Sequence, residues 1–186
     1  MPSVPLLTSL QSLVSMPGRP LGVLLRATAG ARASSAAPVP AVWAVLAHPD
    51  RWVEFDPFLR AVEPSSDAPA GEQDSGAWEV VAGEQVLAQV RLVRGQIPVD
   101  IDHVVNRSSL ATTAHLLHGL DEEVEHLLIP QASGGTLVTA RITLHGPLAL
   151  PALLPRWIFR ALAVRLLART AENELRRRAQ EIPSVA

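Results

Sequence analysis

The chain has no cysteine, no tyrosine and no lysine, and each absence removes a kind of chemistry. Without cysteine there are no disulfides, no thiolate metal sites and no thiol nucleophile. Without lysine there is no Schiff-base amine and no phosphate-loop lysine, and without tyrosine there is no phenolic acid or base. All 16 basic residues are arginine, set against 18 acidic ones, so the net charge of −2 offers no basic surplus for phosphates. Nucleic acid is therefore not an expected partner. Long apolar runs are missing as well. Pro151, Pro155, Arg156, Arg160 and Arg165 interrupt the most apolar stretch, so no transmembrane segment is expected. What remains is 186 residues that are 48% hydrophobic and 18% charged, enough for one well-buried core and short for two domains.

The first twenty residues lack the basic start of a signal peptide, which leaves a cytoplasmic location as the expectation. Leu6, Leu7, Leu10, Leu13 and Val14 recur at helical spacing, with Ser9, Gln11, Ser12 and Ser15 mostly between them, before Pro17-Gly18. That pattern predicts a short amphipathic helix; the alternative is that Met16 is the start and what precedes it is an extension. Residues 1–20 are thus read as an N-terminal extension, 21–182 as the domain and 183–186 as a tail.

Over residues 23–33, Val23, Leu25, Ala27, Ala29, Ala31 and Ala33 alternate with Leu24, Arg26, Thr28, Gly30 and Arg32, which predicts a half-buried strand with a small-residue inner face. Pro38 and Pro40 open a short helix carrying Trp43 and Leu46, and Asp50 is placed to cap a second one carrying Trp52 and Phe55. Residues 65–75 read as an exposed loop. Strands are expected over residues 58–62, 78–93 (a pair or one long bent strand), 99–105, 111–118, 124–129 and 137–145. Without β-α-β alternation, such a run makes an antiparallel sheet. The helix after Pro147 is expected to be ragged until Arg156 and then to run to Gln180. One of its stripes, Trp157, Ala161, Val164 and Ala168, should face the sheet; Ile158, Leu162 and Leu166 form a neighbouring stripe that needs other cover. The N-terminal helix, a homodimer partner or a peripheral membrane surface would each supply it.

Two motifs, APVPAVWAVLAHPDRWVEFDP at 37–57 and GGTLVTARITLHGPLA at 134–149, stand between the small-residue strand and the terminal amphipathic helix. In that order they resemble the START/Bet v 1-like superfamily, in its polyketide cyclase/dehydrase and lipid-transport (SRPBCC) branch, over residues 21–181. The resemblance implies an α+β helix-grip fold, with a seven-stranded (six to eight) antiparallel sheet wrapped around a long C-terminal helix and two short helices after the first strand. It also implies an apolar cavity between sheet and helix. On that expectation the lining is Ala29, Ala31, Trp43, Ile101, His103, Val105, His126, Leu128, Val138, Ala140, Ile142, Trp157, Ala161, Val164 and Ala168.

Polar chemistry then depends on which side chains point inward. His126 alternates with Val124 and Leu128, and His103 with Ile101 and Val105, so both are expected on the inner face. They are the candidate catalytic residues, as general acid or base. The parity of His115 is open. A zinc site shared by the three histidines would lack an inward carboxylate, so neither metal nor cofactor is expected. The acidic run Asp121, Glu122, Glu123 and Glu125 reads as solvated hairpin charge, while Arg165, Arg169 and Glu172 are placed to flank the pocket mouth. No acid and base accompany Ser108, Ser109, Thr112 or Thr113 at triad spacing. The leading expectation is binding or transport of a hydrophobic small molecule, lipid or polyketide-like. The alternative is a cyclase or dehydratase using the same cavity, and a third reading docks a partner on Ile158, Leu162 and Leu166.

Overall fold

The computed structural model describes residues 25–65, 79–91, 95–117 and 119–181. The small-residue alternation forms β1 (Arg26–Ser35), and Pro40 sits in the first turn of α1 (Val39–Leu46), where a missing N–H breaks no bond. A single 3₁₀ turn leads into α2 (Trp52–Phe55). Asp50 makes no capping bond there, contrary to expectation. The turn is closed instead by Arg51 N donating to His48 O at 2.9 Å and by the Trp52 indole N–H donating to Leu46 O at 2.8 Å.

Six strands follow: β2 (Leu59–Pro64), β3 (Gln85–Val90), β4 (Gln96–Val105), β5 (Ser109–Leu117), β6 (Leu120–Pro130) and β7 (Thr136–His145). They pair antiparallel throughout in the order β1-β7-β6-β5-β4-β3-β2. Strands β1 and β2 are neighbours in sequence yet form opposite edges of the sheet, so α1 and α2 must cross between them. The sheet therefore curves around α3 (Ala149–Glu181), against which β1, β7, α1 and α2 all pack. The strand expected over residues 78–93 is shorter, and Val80 N instead ties to Ala47 O at 2.7 Å. The expected N-terminal helix, most of the 65–75 loop and the tail lie outside the described residues.

The two glycine motifs are steric requirements. A Cβ on Gly135 would stand 2.3 Å from Ser35 O, and one on Gly146 would stand 1.6 Å from Gly119 O, where the backbone also has φ +125°. Both glycines let the chain pass directly over a neighbouring backbone, which no side chain permits. Gly146→Ala is expected to destabilise the fold by about 2–3 kcal/mol. Urea denaturation checks this, and an unchanged midpoint would show that the crossing relaxes freely.

Helix α3 is continuous from Ala149, without the ragged stretch expected between Pro147 and Arg156. Pro151 falls in the first turn, whose N–H groups have no intrahelical acceptor in any case, and Pro155 removes a single interior bond. The alanine face of β1 lets α3 lie close. The Trp157 indole N–H donates to Gly30 O at 2.9 Å, and Ser35 Oγ donates to Ala168 O at 3.0 Å. Glu172 takes part in the same clamp: it accepts from Ala36 N at 2.7 Å and does not guard a pocket. Trp43, Ile101, Leu128, Val138, Ala140, Val164 and Ala168 are buried in one continuous core. Ile142 belongs to a second apolar cluster with Ala27, Leu144 and Ala149. On the far side of α3, Ile158 and Leu162 are exposed, while Leu166 turns in against the core.

Candidate functional site

The hollow in this fold lies towards the β2–β6 side of α3. Its walls come from α2 (Trp52, Phe55), β2–β3 (Leu59, Ala88, Val90), β4–β5 (Ile97, Val99, Leu110, Thr112, Ala114, Leu116) and β6 (Glu122, Val124, His126). Leu46, Asp56, Phe58, Arg156, Phe159 and Arg160 complete it. Fourteen of these twenty residues are apolar, so a guest would be desolvated mostly by hydrocarbon and aromatic surface. The space open to the centres of water molecules is about 70 Å³, roughly five times what a single water requires. Phe58 and Phe159 meet across one wall with ring centroids 3.9 Å apart.

The polar end is a charge network. Arg160 donates through Nε to Glu122 Oε1 at 3.0 Å and through Nη1 to Asp56 Oδ2 at 2.8 Å. Glu122 is 0% exposed and Asp56 6% exposed, so both carboxylates depend on this guanidinium for the solvation that water would otherwise supply. The second Glu122 oxygen, Oε2, lies 3.0 Å from Arg156 Nη1 but without hydrogen-bond alignment, so Arg156 holds it by charge alone. Asp56 Oδ1 accepts from Phe58 N at 3.0 Å, which fixes the turn after α2. Two arginines and two carboxylates make the cluster neutral. Burial works against the Arg160 charge, but Glu122 and Asp56 outweigh it and hold the pKa above its ordinary value.

His126 projects beside this cluster from β6. It is 6% exposed, its Nδ1 is buried without a hydrogen-bond partner, and burial, aided by the positive field of Arg160, pushes its pKa down to about 3. It is therefore a neutral imidazole at every physiological pH.

No protein-family model matches this chain, and no curated protein matches it either. Solved structures do. A structural-genomics protein from Nitrosospira multiformis superposes with a TM-score of 0.58 at 13% identity, over 80% of this chain and 99% of that one. A START superfamily protein from Mycobacterium smegmatis superposes with a TM-score of 0.55 at 10% identity, over 81% of this chain and 97% of that one. The fold is START/Bet v 1-like. In this START-like frame, sheet and helix enclose an interior lined mostly by apolar side chains.

Of the lining residues expected from sequence, His126 alone borders the START-like cavity. Trp43, Ile101, Leu128, Val138, Ala140, Ile142, Val164 and Ala168 are instead packed core. Ala29, Ala31, Trp157 and Ala161 are half-buried along the β1–α3 contact, where alanines bring helix and strand too close to leave a gap. His103 and Val105 are exposed, and this corrects their expected inward direction. A bulge between Ile101 and His103 shifts the register of β4, so that Val104 packs against the core in their place. Such an extra residue reverses the parity of everything after it.

The three histidines consequently do not meet. His115 is exposed and bridges Asp121 Oδ1 at 2.9 Å and Asp100 Oδ2 at 3.0 Å. Its pKa is raised chiefly by the bond to Asp100 and then by that to Asp121. Glu122, Asp56, Arg156 and Arg160 were missed by sequence reasoning. A signal for Glu122 existed: it stands two residues before Val124 and four before His126, on the same face of β6, and so contradicts the expectation that no carboxylate points inward. Nothing in the sequence paired it with Arg160, which is 38 residues away. Arg165 and Arg169 are exposed and do not border the cavity. Among the described residues, no helix is long and apolar enough to cross a membrane.

Proposed function

We propose that the chain binds, and in that sense carries, a hydrophobic small molecule whose apolar body lies on Ala88, Val99, Leu110, Ala114 and Val124. Its polar end would meet His126 and the Arg156–Glu122–Arg160 cluster. The observation that carries this reading is the composition of the cavity: an apolar wall with convergent polar groups at one end suits a ligand of lipid or polyketide character. Burying the ligand surface at about 25 cal/mol per Å² supplies the affinity, and the polar end supplies orientation. Catalysis by histidine is the weaker reading. A general base works best with a pKa near the working pH, whereas His126 is held near 3 and His103 faces outward.

Two measurements test the proposal. Native mass spectrometry of the purified chain is expected to detect a co-purifying apolar molecule. Ala114→Phe, which fills the cavity from β5, is expected to weaken binding of the neutral fluorophore N-phenyl-1-naphthylamine by about tenfold or more, equivalent to roughly 1.4 kcal/mol. Ala88→Leu, placed on β3, is expected to act in the same direction. Unaltered fluorophore affinity in both variants, each folded, would place the ligand elsewhere.

A further inference from the structure

We propose that the exposed apolar ridge on the first half of α3 is the seat of the chain's own N-terminal segment, residues 6–14. The ridge consists of Leu150, Leu154, Ile158 and Leu162, with Leu148 at its start, and each of them is exposed, up to 65% for Leu154. Successive members stand four residues apart, so they form one continuous side-chain row, about 18 Å long at 1.5 Å per residue. Exposed Arg165 and Arg169 end it. Four large aliphatic side chains in one row, with Leu148 just before it, mark a covered surface on a folded domain.

Three observations choose the occupant. First, the chain enters the domain at the right place. Arg26 pairs with His145, and Gly146 N donates to Leu25 O at 2.9 Å, so Leu25 itself lies close to the start of α3 at Ala149. Second, the reach suffices, since the residues between Gly18 and Leu25 span up to about 25 Å when extended. Third, the segment has the complementary character. Leu6, Leu7, Leu10, Leu13 and Val14 fall at helical spacing, and the segment carries no charged side chain before Arg19. A helix this short does not hold together in water without an apolar partner, and one without arginine or lysine lacks the cationic face that draws a helix to an anionic membrane. A lipid surface is thus the less favoured cover, and a second copy of the chain is left to the test.

The absence of cysteine makes a direct test clean. In the full chain, Leu10→Cys with Ile158→Cys is expected to oxidise to a disulfide within one chain, in a yield that does not change on dilution. The pair Leu13→Cys with Leu154→Cys is expected to behave alike. Disulfide-linked dimers would overturn the proposal in favour of a second copy, and free thiols in both pairs would overturn it outright. As a second readout, Ile158→Cys alone is labelled with a water-soluble maleimide. Labelling is expected to speed up about tenfold when Leu6, Leu10 and Leu13 are changed to serine, as the thiol's cover is lost. Equal rates would overturn the proposal, as would protection that appears only when phosphatidylcholine–phosphatidylglycerol vesicles are added.

Discussion

Replacing Arg160 with methionine is expected to destabilise the fold by about 3–5 kcal/mol, the loss typical when one partner of a buried ion pair is removed and the other left behind. The reason lies in what remains. Glu122 has no exposed surface and Asp56 only 6%, and Arg160 supplies a bond to each, at 3.0 and 2.8 Å. Arg156 reaches only Glu122, and without a directed bond, so it does not replace the lost guanidinium. For a chain of this size the melting temperature should fall by roughly 10 °C or more. The double variant Arg160→Met with Glu122→Met should recover part of the loss, because an apolar pair carries no desolvation penalty. A single variant that melts like the wild type would mean that water already solvates these carboxylates.

The second large effect is acid lability centred on His126. Its folded pKa, about 3, is below the value near 6.5 of an unfolded histidine. Above pH 6.5 both states are neutral at this position and nothing is lost. As the pH falls from 6.5 towards 3, the unfolded chain takes up a proton that the folded chain refuses. Stability should then drop by up to about 1.4 kcal/mol per pH unit, on the order of 4 kcal/mol over the whole span. The interval from pH 6.5 to 5 isolates this effect, since ordinary carboxylates do not titrate there. His115 acts with the opposite sign, because its raised pKa gives a contribution present below about 6.5 and lost as the pH rises through its folded value. That histidine is exposed, so solvent screening keeps its share small. Urea midpoints at pH 7 and pH 5, for wild type and for His126→Phe, check the prediction. A variant that keeps the full wild-type slope would remove His126 as the cause.

Much of the architecture was legible in the residues. Strands β1, β6 and β7 followed from two-residue alternation, and α1 from its prolines. The Gly-Gly-Thr and Gly-Pro motifs marked places where two backbones cross without room for a Cβ. The site was far less legible, for two separable reasons. Parity was a sound guide along β6, where it placed His126 correctly and would have placed Glu122 had it been extended by two residues. It failed along β4, because the bulge after Ile101 leaves no mark in the sequence and turns His103 and Val105 outward. The cavity itself was expected between α3 and the whole sheet, including Ala29 and Ala31 of β1 and Val138, Ala140 and Ile142 of β7, but the alanine face of β1 draws α3 into hydrogen-bond contact there and closes that part of the space.

By itself the sequence determined the order of elements, the antiparallel character of the sheet and the amphipathic C-terminal helix, since backbone sterics and side-chain periodicity act over a few residues and are written locally. Only the tertiary structure decided which side of that helix stays hollow and which charges meet inside it. Asp56, Glu122 and Arg160 come from a turn, a strand and a helix, and only their common burial in a low-dielectric interior obliges them to pair.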